Sequence, residues 1–191
     1  MATYRLNDSN SLLYVLIDND SGKLLSKMGH DHVVHATNWT GTLDYEPDDP
    51  SRTSVRIELP VAGLRADEEE IRKRVGYKGG IPEGDRQKTQ ENMLKKDQLF
   101  AKRFPTITFT STACDRGDEG TLQVRGRLTV RGKTRPVDLS MTLEQEEGGL
   151  RARGRFVATH ADFGFKPFSA PFGALKNKEE ITFVIDVLAM P

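Results

Sequence analysis

Alternating apolar and polar residues run through most of this chain, and this pattern constrains its fold more than any other feature. A period of two places every second side chain on the same face of a β-strand, so each run predicts a strand with one buried face. The alternation predicts strands over residues 54–59, 106–110, 122–130, 137–144, 152–158 and 181–187. Earlier strands are predicted over residues 12–18, 24–36 and 38–45.

The segments between the later strands are short and rich in glycine and charged residues. Residues 131–133 (RGK) predict a tight hairpin, and residues 115–120 and 146–149 predict loops. Sequential hairpins favour neighbouring antiparallel strands, and a sheet of about eight strands must close or leave a long edge that invites aggregation. We therefore predict an all-β fold, an antiparallel up-and-down β-barrel of about eight strands, in one domain spanning residues 1–191.

Residues 67–104 interrupt the alternation and indicate a short helical insertion. Asp67 is predicted to cap a helix over residues 68–75, and a second helix is predicted over about residues 85–100. Residues 71–103 hold 10 basic and 4 acidic groups, and transient docking to an anionic membrane surface is one hypothesis for them. The alternative is a soluble helix pair with its lysines in water, which the scarcity of large apolar residues favours.

Composition excludes several classes of protein. With 28 basic and 28 acidic residues the chain has no net charge, so we predict no nucleic-acid partner. The mean hydropathy of -0.55 and the absence of an apolar run of roughly 18 residues argue against a membrane-spanning helix. The first residues show no secretory signal pattern, which predicts a cytoplasmic location. Cys114 is the only cysteine, which excludes an intrachain disulfide and a zinc site built from several thiolates.

The positions predicted to face the barrel interior are strongly apolar. They are Ile107, Phe109, Leu128, Val130, Leu139, Met141, Phe156, Phe183 and Ile185. Phe163, Phe165, Phe168 and Phe172 lie in one later segment and predict an aromatic mouth to the barrel. Burying an apolar molecule among such side chains gains roughly 25 cal/mol per Å² of apolar area. The alternative is that these side chains simply fill the core of a small barrel.

Three of the four histidines lie in residues 30–35 (HDHVVH). In a strand His30 and His32 point to the same face, so this pair with His160 as a distant third ligand is a candidate site for zinc, copper or iron. Other interpretations are contact with a polar head group, titration near neutral pH, or partly exposed polar residues bonded to their neighbours. No nucleophile elbow and no phosphate-binding glycine loop is present, so no catalytic residue is predicted.

Four segments carry motifs that occur together in one known family. Residues 4–7 (YRLN) with Ser11 are similar to a tyrosine-led first strand, and residues 39–43 (WTGTL) to an aromatic–X–glycine strand. Residues 93–111 (MLKKDQLFAKRFPTITFTS) are similar to a short helix followed by an aromatic–proline strand, and residues 126–137 (GRLTVRGKTRPV) to a glycine–X–leucine–threonine hairpin. Through these motifs, in this order and spacing, the chain resembles the YceI-like family.

This resemblance implies a lipocalin-like barrel that is not an enzyme and carries an apolar polyisoprenoid or quinone-like lipid, with no other cofactor indicated. Trp39 and Phe104 lie in the matching motifs and join the interior residues as candidate ligand contacts. The resemblance also implies a homodimer, and its members are usually periplasmic.

Two segments depart from the family pattern. Residues 29–32 (GHDH) replace the usual strand sequence there, and a changed strand predicts a changed ligand. Residues 67–91 are longer than the usual helical connection. The alternative function is a metal-binding protein or small metal-dependent enzyme that uses His30, His32 and His160. A third hypothesis is a filled barrel that acts through protein partners, and this hypothesis predicts no cavity.

Overall fold

The computed structural model describes residues 1–20, 30–170 and 175–191. These residues contain eleven β-strands and two α-helices. The first group of elements is β1 (Ala2–Asn7), β2 (Leu12–Ile17), β3 (His32–Ala36), β4 (Thr40–Tyr45), β5 (Ser54–Pro60), β6 (Leu64–Ala66), α1 (Glu69–Arg74) and α2 (Glu83–Leu94). The second group is β7 (Thr106–Arg116), β8 (Leu122–Val130), β9 (Lys133–Glu146), β10 (Gly149–Thr159) and β11 (Glu180–Ala189).

All described strands pair antiparallel in the order β1-β4-β5-β7-β8-β9-β10-β11-β2-β3-β6. The early strands form three long strands that are each broken near the middle. Strands β1 and β2 pair with β4 and β3, and these in turn pair with β5 and β6. The eleven strands therefore follow eight paths. The predicted antiparallel barrel is confirmed, and the strand count is eleven rather than about eight because of these breaks.

Local backbone geometry explains the breaks. Asn38 has φ 57 between β3 and β4, a left-handed conformation that cannot continue a strand. A turn of 3-10 helix over Val61–Gly63 separates β5 from β6. The sequence predicted the division between β3 and β4, because separate strands were expected over residues 24–36 and 38–45, whereas it did not predict the short strand β6. Of the strand predicted over residues 24–36, residues 24–29 lie outside the described residues.

The sheet curls until its end strand β1 meets the chain that follows β11. The Arg5 amide donates to the Met190 carbonyl at 2.6 Å, and the Met190 amide donates to the Arg5 carbonyl at 3.0 Å. These bonds join β1 to the chain just after β11, which also pairs with β2. The inward faces of the strands consequently surround a common interior, and few backbone groups are left at an open edge.

The predicted helical insertion is present between β6 and β7, with different helix boundaries. The first helix begins at Glu69, and its N-cap residue Glu68 makes no side-chain capping bond. The predicted cap, Asp67, is instead a buried residue with φ 55. The second helix begins at Glu83 and ends at Leu94, so the predicted extension to residue 100 is wrong.

One side chain of the insertion covers the free edge of β6. The Gln90 amide nitrogen donates to the Leu64 carbonyl at 2.9 Å, and its amide oxygen accepts from the Ala66 backbone N–H at 2.8 Å. A single glutamine thus supplies the donor and the acceptor that a neighbouring strand would supply. This pair of bonds places α2 against the end of the barrel where β6 lies.

An inward-facing glycine makes room for an aromatic side chain in the barrel wall. A Cβ atom at Gly126 on β8 would lie 2.5 Å from the ring of Phe109 on the neighbouring β7. Because real carbon atoms do not approach so closely, any other residue here would displace the ring. The glycine therefore fixes where Phe109 lies on the interior wall.

Candidate ligand cavity

The barrel encloses an apolar cavity of about 320 Å³. Small-molecule sites in proteins have volumes of roughly 300–1,000 Å³, so this cavity is large enough for a ligand. The inward residues of the strands form its wall, and α2 contributes Thr89, Asn92 and Met93. This open interior contradicts the hypothesis of a filled barrel.

Several large apolar side chains point inward and are nevertheless only half-buried. Ile107, Phe109, Phe156, Phe183 and Ile185 all line the cavity and all retain accessible surface. Interiors of proteins are normally close-packed, and a side chain next to a void loses its van der Waals contacts on that side. An apolar molecule in the cavity would restore these contacts.

The structure brings together most of the residues that the sequence predicted for ligand contact. Those that line the cavity are Ile107, Phe109, Leu128, Val130, Leu139, Met141, Phe156, Phe163, Phe165, Phe168, Phe183 and Ile185. Contact of these residues with a ligand stays a prediction. Phe172, part of the predicted aromatic mouth, lies outside the described residues.

Two predicted residues lie elsewhere. Trp39 precedes β4 and is 1% exposed, so it packs in the core and does not line the cavity. Phe104 lies against the β8–β9 hairpin, where Gly132 has φ 69 and a Cβ atom would lie 2.6 Å from the Phe104 ring. It forms an edge-to-face pair with Phe100. Both residues belong to segments that match the family motifs, but neither lines the cavity.

The early strands contribute lining residues that the prediction omitted. They are Leu6, Leu13, Val15, Ile17, Val34, Ala36, Leu43, Val55, Ile57 and Leu59. Their alternation with polar neighbours is visible in the sequence, and extending the same argument to these strands would have found most of them.

An aromatic cluster lines the cavity toward the ends of β10 and β11. The rings of Phe156 and Phe183 stack with centroids 4.6 Å apart, and Phe163 meets Phe183 edge-on at 6.2 Å. The His160 ring meets Phe165 edge-on at 5.2 Å. These contacts fix the rings as a rigid apolar wall beside the histidine.

The polar lining residues are concentrated at one end of the barrel. His32 begins β3 and pairs with Ile17, the last residue of β2. His160 directly follows β10, whose last residue Thr159 pairs with Glu180 at the start of β11. Because β2 and β11 are antiparallel neighbours, both histidines lie at the same end, which we call the helical end because α2 lies across it.

The two ends of the cavity differ in polarity. Apart from Tyr14 and Tyr45, the polar side chains among the described lining residues are Thr89, Asn92, Gln98 and Asn177 together with the two histidines. The opposite end is lined by Leu6, Leu43, Leu122, Leu150 and Ala189. The cavity thus matches a molecule with a long apolar body and one polar terminus.

A buried ion-pair network lies directly behind His32. Its Nδ1 is 2.6 Å from Oδ2 of Asp67, whose other oxygen accepts from the Val33 amide at 3.1 Å and from Arg72 at 3.0 Å. Arg72 also donates to the Asp31 carbonyl at 2.7 Å. The Asp67 side chain is fully buried, so each of its bonds is shielded from water. The sequence prediction of a helix cap missed this role.

The same contacts keep Asp67 ionised. Burial alone would raise the pKa of Asp67, but the hydrogen bond and charge of His32, the Val33 amide and the Arg72 charge together hold the pKa below its ordinary value. A carboxylate can only accept hydrogen bonds, so Nδ1 of His32 carries the proton in this pair. The other ring nitrogen, Nε2, has no hydrogen-bond partner among the described residues.

His160 is held in the same manner by a backbone carbonyl. Its Nδ1 lies 2.8 Å from the Glu179 carbonyl oxygen, which requires a proton on Nδ1. The residue is 2% exposed, and this burial lowers the pKa of His160, so the ring is neutral near pH 7. Its Nε2 therefore presents a lone pair, and no described residue donates a hydrogen bond to it.

The three histidines predicted to bind a metal do not assemble into a set of ligands. His30 is exposed and precedes β3, whereas His32 and His160 line the cavity. Within residues 1–20, 30–170 and 175–191, no group of three or more histidine, cysteine, aspartate or glutamate side chains is arranged to hold a metal ion. The described structure therefore offers no support for the metal-binding alternative.

The basic insertion has many of its charges paired with nearby acids. Lys73 lies 2.6 Å from Glu69 on α1, and on α2 Lys88 lies 3.4 Å from Asp85. Such exposed pairs contribute little to stability, and contact with a membrane surface stays a prediction. None of the described helices has the length and apolar character needed to cross a membrane.

Comparison with known proteins places this chain in a family. A model of the YceI-like domain matches residues 14–189. A UPF0312 protein of Pseudomonas syringae pv. syringae is 28% identical over 150 residues, which cover 74% of this chain and 68% of that protein. A UPF0312 protein of Shewanella baltica is 24% identical over 169 residues, which cover 85% of this chain and 78% of that protein.

Solved structures share the fold at low sequence identity. The crystal structure of Burkholderia cenocepacia BcnA superposes with a TM-score of 0.73 at 16% identity, covering 96% of this chain and 99% of BcnA. The Campylobacter jejuni YCEI protein superposes with a TM-score of 0.62 at 13% identity, covering 83% of this chain and 84% of that protein. These likenesses agree with the family match over most of the sequence, and the chain belongs to the YceI-like family.

Proposed function

We propose that this protein binds and carries an apolar lipid of the isoprenoid or isoprenoid-quinone type inside its barrel. The observation that carries the proposal is the cavity itself, which is apolar over most of its wall and, apart from Tyr14 and Tyr45, polar at the helical end only. A lipid with one polar head group has the same distribution of polarity. The resemblance of the chain to its family implies the same class of ligand.

Burial of apolar surface supplies the driving force for this binding. Each square ångström of apolar area removed from water contributes roughly 25 cal/mol. The half-buried rings of Phe109, Phe156 and Phe183 would lose their remaining accessible surface against an isoprenoid chain. Aromatic and branched aliphatic side chains are the usual lining of sites for such ligands.

The lining of the cavity favours a carrier over an enzyme. Among the described lining residues there is no serine, cysteine, lysine, aspartate or glutamate, so the usual nucleophiles and carboxylate bases of enzymes are missing from the wall. The one aliphatic hydroxyl among the described lining residues is that of Thr89, which donates to the Asp85 carbonyl at 3.0 Å within its own helix. We therefore propose binding without chemical conversion of the ligand.

Filling the cavity with protein tests this proposal. Ile107→Trp places an indole ring in the space that the ligand would occupy. Because this ring enters an existing cavity, it causes less packing strain than such a change does in a filled core. Thr110→Trp is the matched control because Thr110 lies on the same strand and is exposed. Binding of farnesol is measured by displacement of a fluorescent apolar probe, with circular dichroism as the check on folding.

We expect the wild-type protein and Thr110→Trp to bind farnesol with equal affinity, and Ile107→Trp to lose at least about tenfold. A tenfold loss corresponds to about 1.4 kcal/mol of binding free energy, which is less than one well-packed apolar side chain contributes. Equal binding by a folded Ile107→Trp protein would show that the ligand does not occupy the barrel.

A further inference from the structure

The polar end of the cavity presents hydrogen-bond acceptors and no fixed positive charge among its described lining residues. Its two histidines each commit Nδ1 to a partner in the wall, Asp67 for His32 and the Glu179 carbonyl for His160. The two nitrogens of an imidazole ring lie on different edges, so Nε2 points away from the group that Nδ1 contacts. In both residues this leaves Nε2 as the polar atom offered to the cavity.

His160 is the more restrictive of the two groups. It is 2% exposed and its neutral ring carries its proton on Nδ1, so Nε2 can accept a hydrogen bond but cannot donate one. No described residue supplies that bond. Nε2 of His160 is not among the described side-chain atoms that are buried without a partner, so it is accessible from the cavity that the residue lines, and a ligand there can donate a hydrogen bond to it.

His32 adds a second polar atom beside the apolar wall, with a carboxylate behind it. Asp67 is ionised and fully buried, and its charge is shared between His32 and Arg72. The buried pair of Asp67 with Arg72 has no net charge, so it offers no attraction to an anionic head group. Lysine and arginine, the usual partners of phosphate, are absent from the described lining residues.

From this arrangement we infer that the head group of the ligand is a neutral hydroxyl, which donates its hydrogen bond to Nε2 of His160. The inference rests on the proposed lipid-binding function and adds the chemistry of the head group to it. A methyl ether or an oxidised quinone has acceptors alone and leaves Nε2 of His160 unpaired.

Two probes that differ by one methyl group test this inference. Farnesol carries a hydroxyl, and farnesyl methyl ether has the same isoprenoid chain with no hydrogen to donate. Their affinities are compared for the wild-type protein and for His160→Asn. An asparagine amide can keep the bond to the Glu179 carbonyl while Nε2 is removed, so this variant retains the wall contact.

We expect the wild-type protein to bind farnesol about five- to tenfold more tightly than the ether, as one buried hydrogen bond provides. In His160→Asn the two affinities become equal, and the affinity for the ether is unchanged. His35→Asn is the matched control. His35 lies on the same strand as His32 but does not line the cavity, and its Nε2 lies 2.8 Å from Oε2 of Glu68. We expect His35→Asn to keep the preference for farnesol over the ether.

The outcomes separate this inference from the function on which it rests. Equal binding of both probes by the wild-type protein, or retained discrimination in His160→Asn, overturns the hydroxyl site and leaves lipid binding intact. Failure of the wild-type protein to bind either probe overturns lipid binding itself. Tighter binding of farnesyl phosphate than of farnesol would also overturn the inference, because it requires a cation at the head group.

Discussion

At the scale of single residues, three side chains decide the character of the cavity's polar end. Asp67 anchors the ring of His32 and the guanidinium of Arg72, although it lies 35 residues from His32 in sequence. The acid is also held in a left-handed conformation, with φ 55. A residue in this position joins the barrel wall to the start of the helical insertion.

Replacing Asp67 with asparagine is expected to destabilise the fold strongly. The amide side chain of Asp67→Asn would keep the shape of the carboxylate but leave the buried Arg72 charge, whose side chain is 6% exposed, without its anionic partner. Breaking a buried pair in this manner costs about 3–5 kcal/mol. The free energy of unfolding in urea measures the effect. Glu69→Gln, which removes an exposed pair with Lys73, is the control and should cost under about 1 kcal/mol.

The stability difference between the wild-type protein and Asp67→Asn is also expected to depend on pH. Because the pKa of Asp67 is lower in the folded protein than in the unfolded chain, its contribution is complete above the ordinary aspartate pKa of about 3.9. It is lost as the pH falls through the lowered value. A difference that grew on acidification would contradict this account of the ion pair.

At the scale of elements, the helical insertion is part of the wall as well as a cover. Its Gln90 side chain bonds both the Leu64 carbonyl and the Ala66 amide, and its Thr89, Asn92 and Met93 line the cavity. The residues of α2 show no apolar stripe, and none of them is fully buried. Hydrogen bonds and its contacts with the barrel end therefore hold this helix in place.

Truncating Gln90 to alanine is expected to loosen β6 selectively. Two backbone groups in a largely buried strand lose their partners, which costs about 1–3 kcal/mol for each group that water does not reach. Hydrogen exchange at the Ala66 amide should become faster in Gln90→Ala. Gln87→Ala serves as the control, because Gln87 is exposed and bonds Glu83 on the same helix. Unchanged exchange in Gln90→Ala would contradict the role of this side chain as a substitute strand.

The elements also show which parts of the structure a sequence can predict. Period-two alternation is a local signal, and it identified the later strands and the interior face that lines the cavity. The kink at Asn38, the Gln90 contact with β6 and the pairing of Asp67 with His32 depend on contacts between distant segments. Local patterns do not report such contacts, so the short strand β6 and the anchor of His32 were not predicted.

At the scale of the whole molecule, the account depends on one property of the fold. A curled antiparallel sheet surrounds a space of about 320 Å³ that its own side chains do not fill. The motifs of the family predicted the barrel correctly. Two of their aromatic residues, Trp39 and Phe104, were predicted as ligand contacts but do not line the cavity. Membership of the family thus establishes the fold, and the residues that face the interior set the shape and polarity of the cavity.

Native mass spectrometry of the purified protein, before and after incubation with farnesol, tests the central claim most directly. The account predicts a mass above that of the polypeptide alone, with an excess that extracts into organic solvent as a neutral, hydroxyl-bearing apolar molecule. The mass of the bare polypeptide in both samples, from protein that is folded by circular dichroism, would contradict the claim that this barrel carries a lipid.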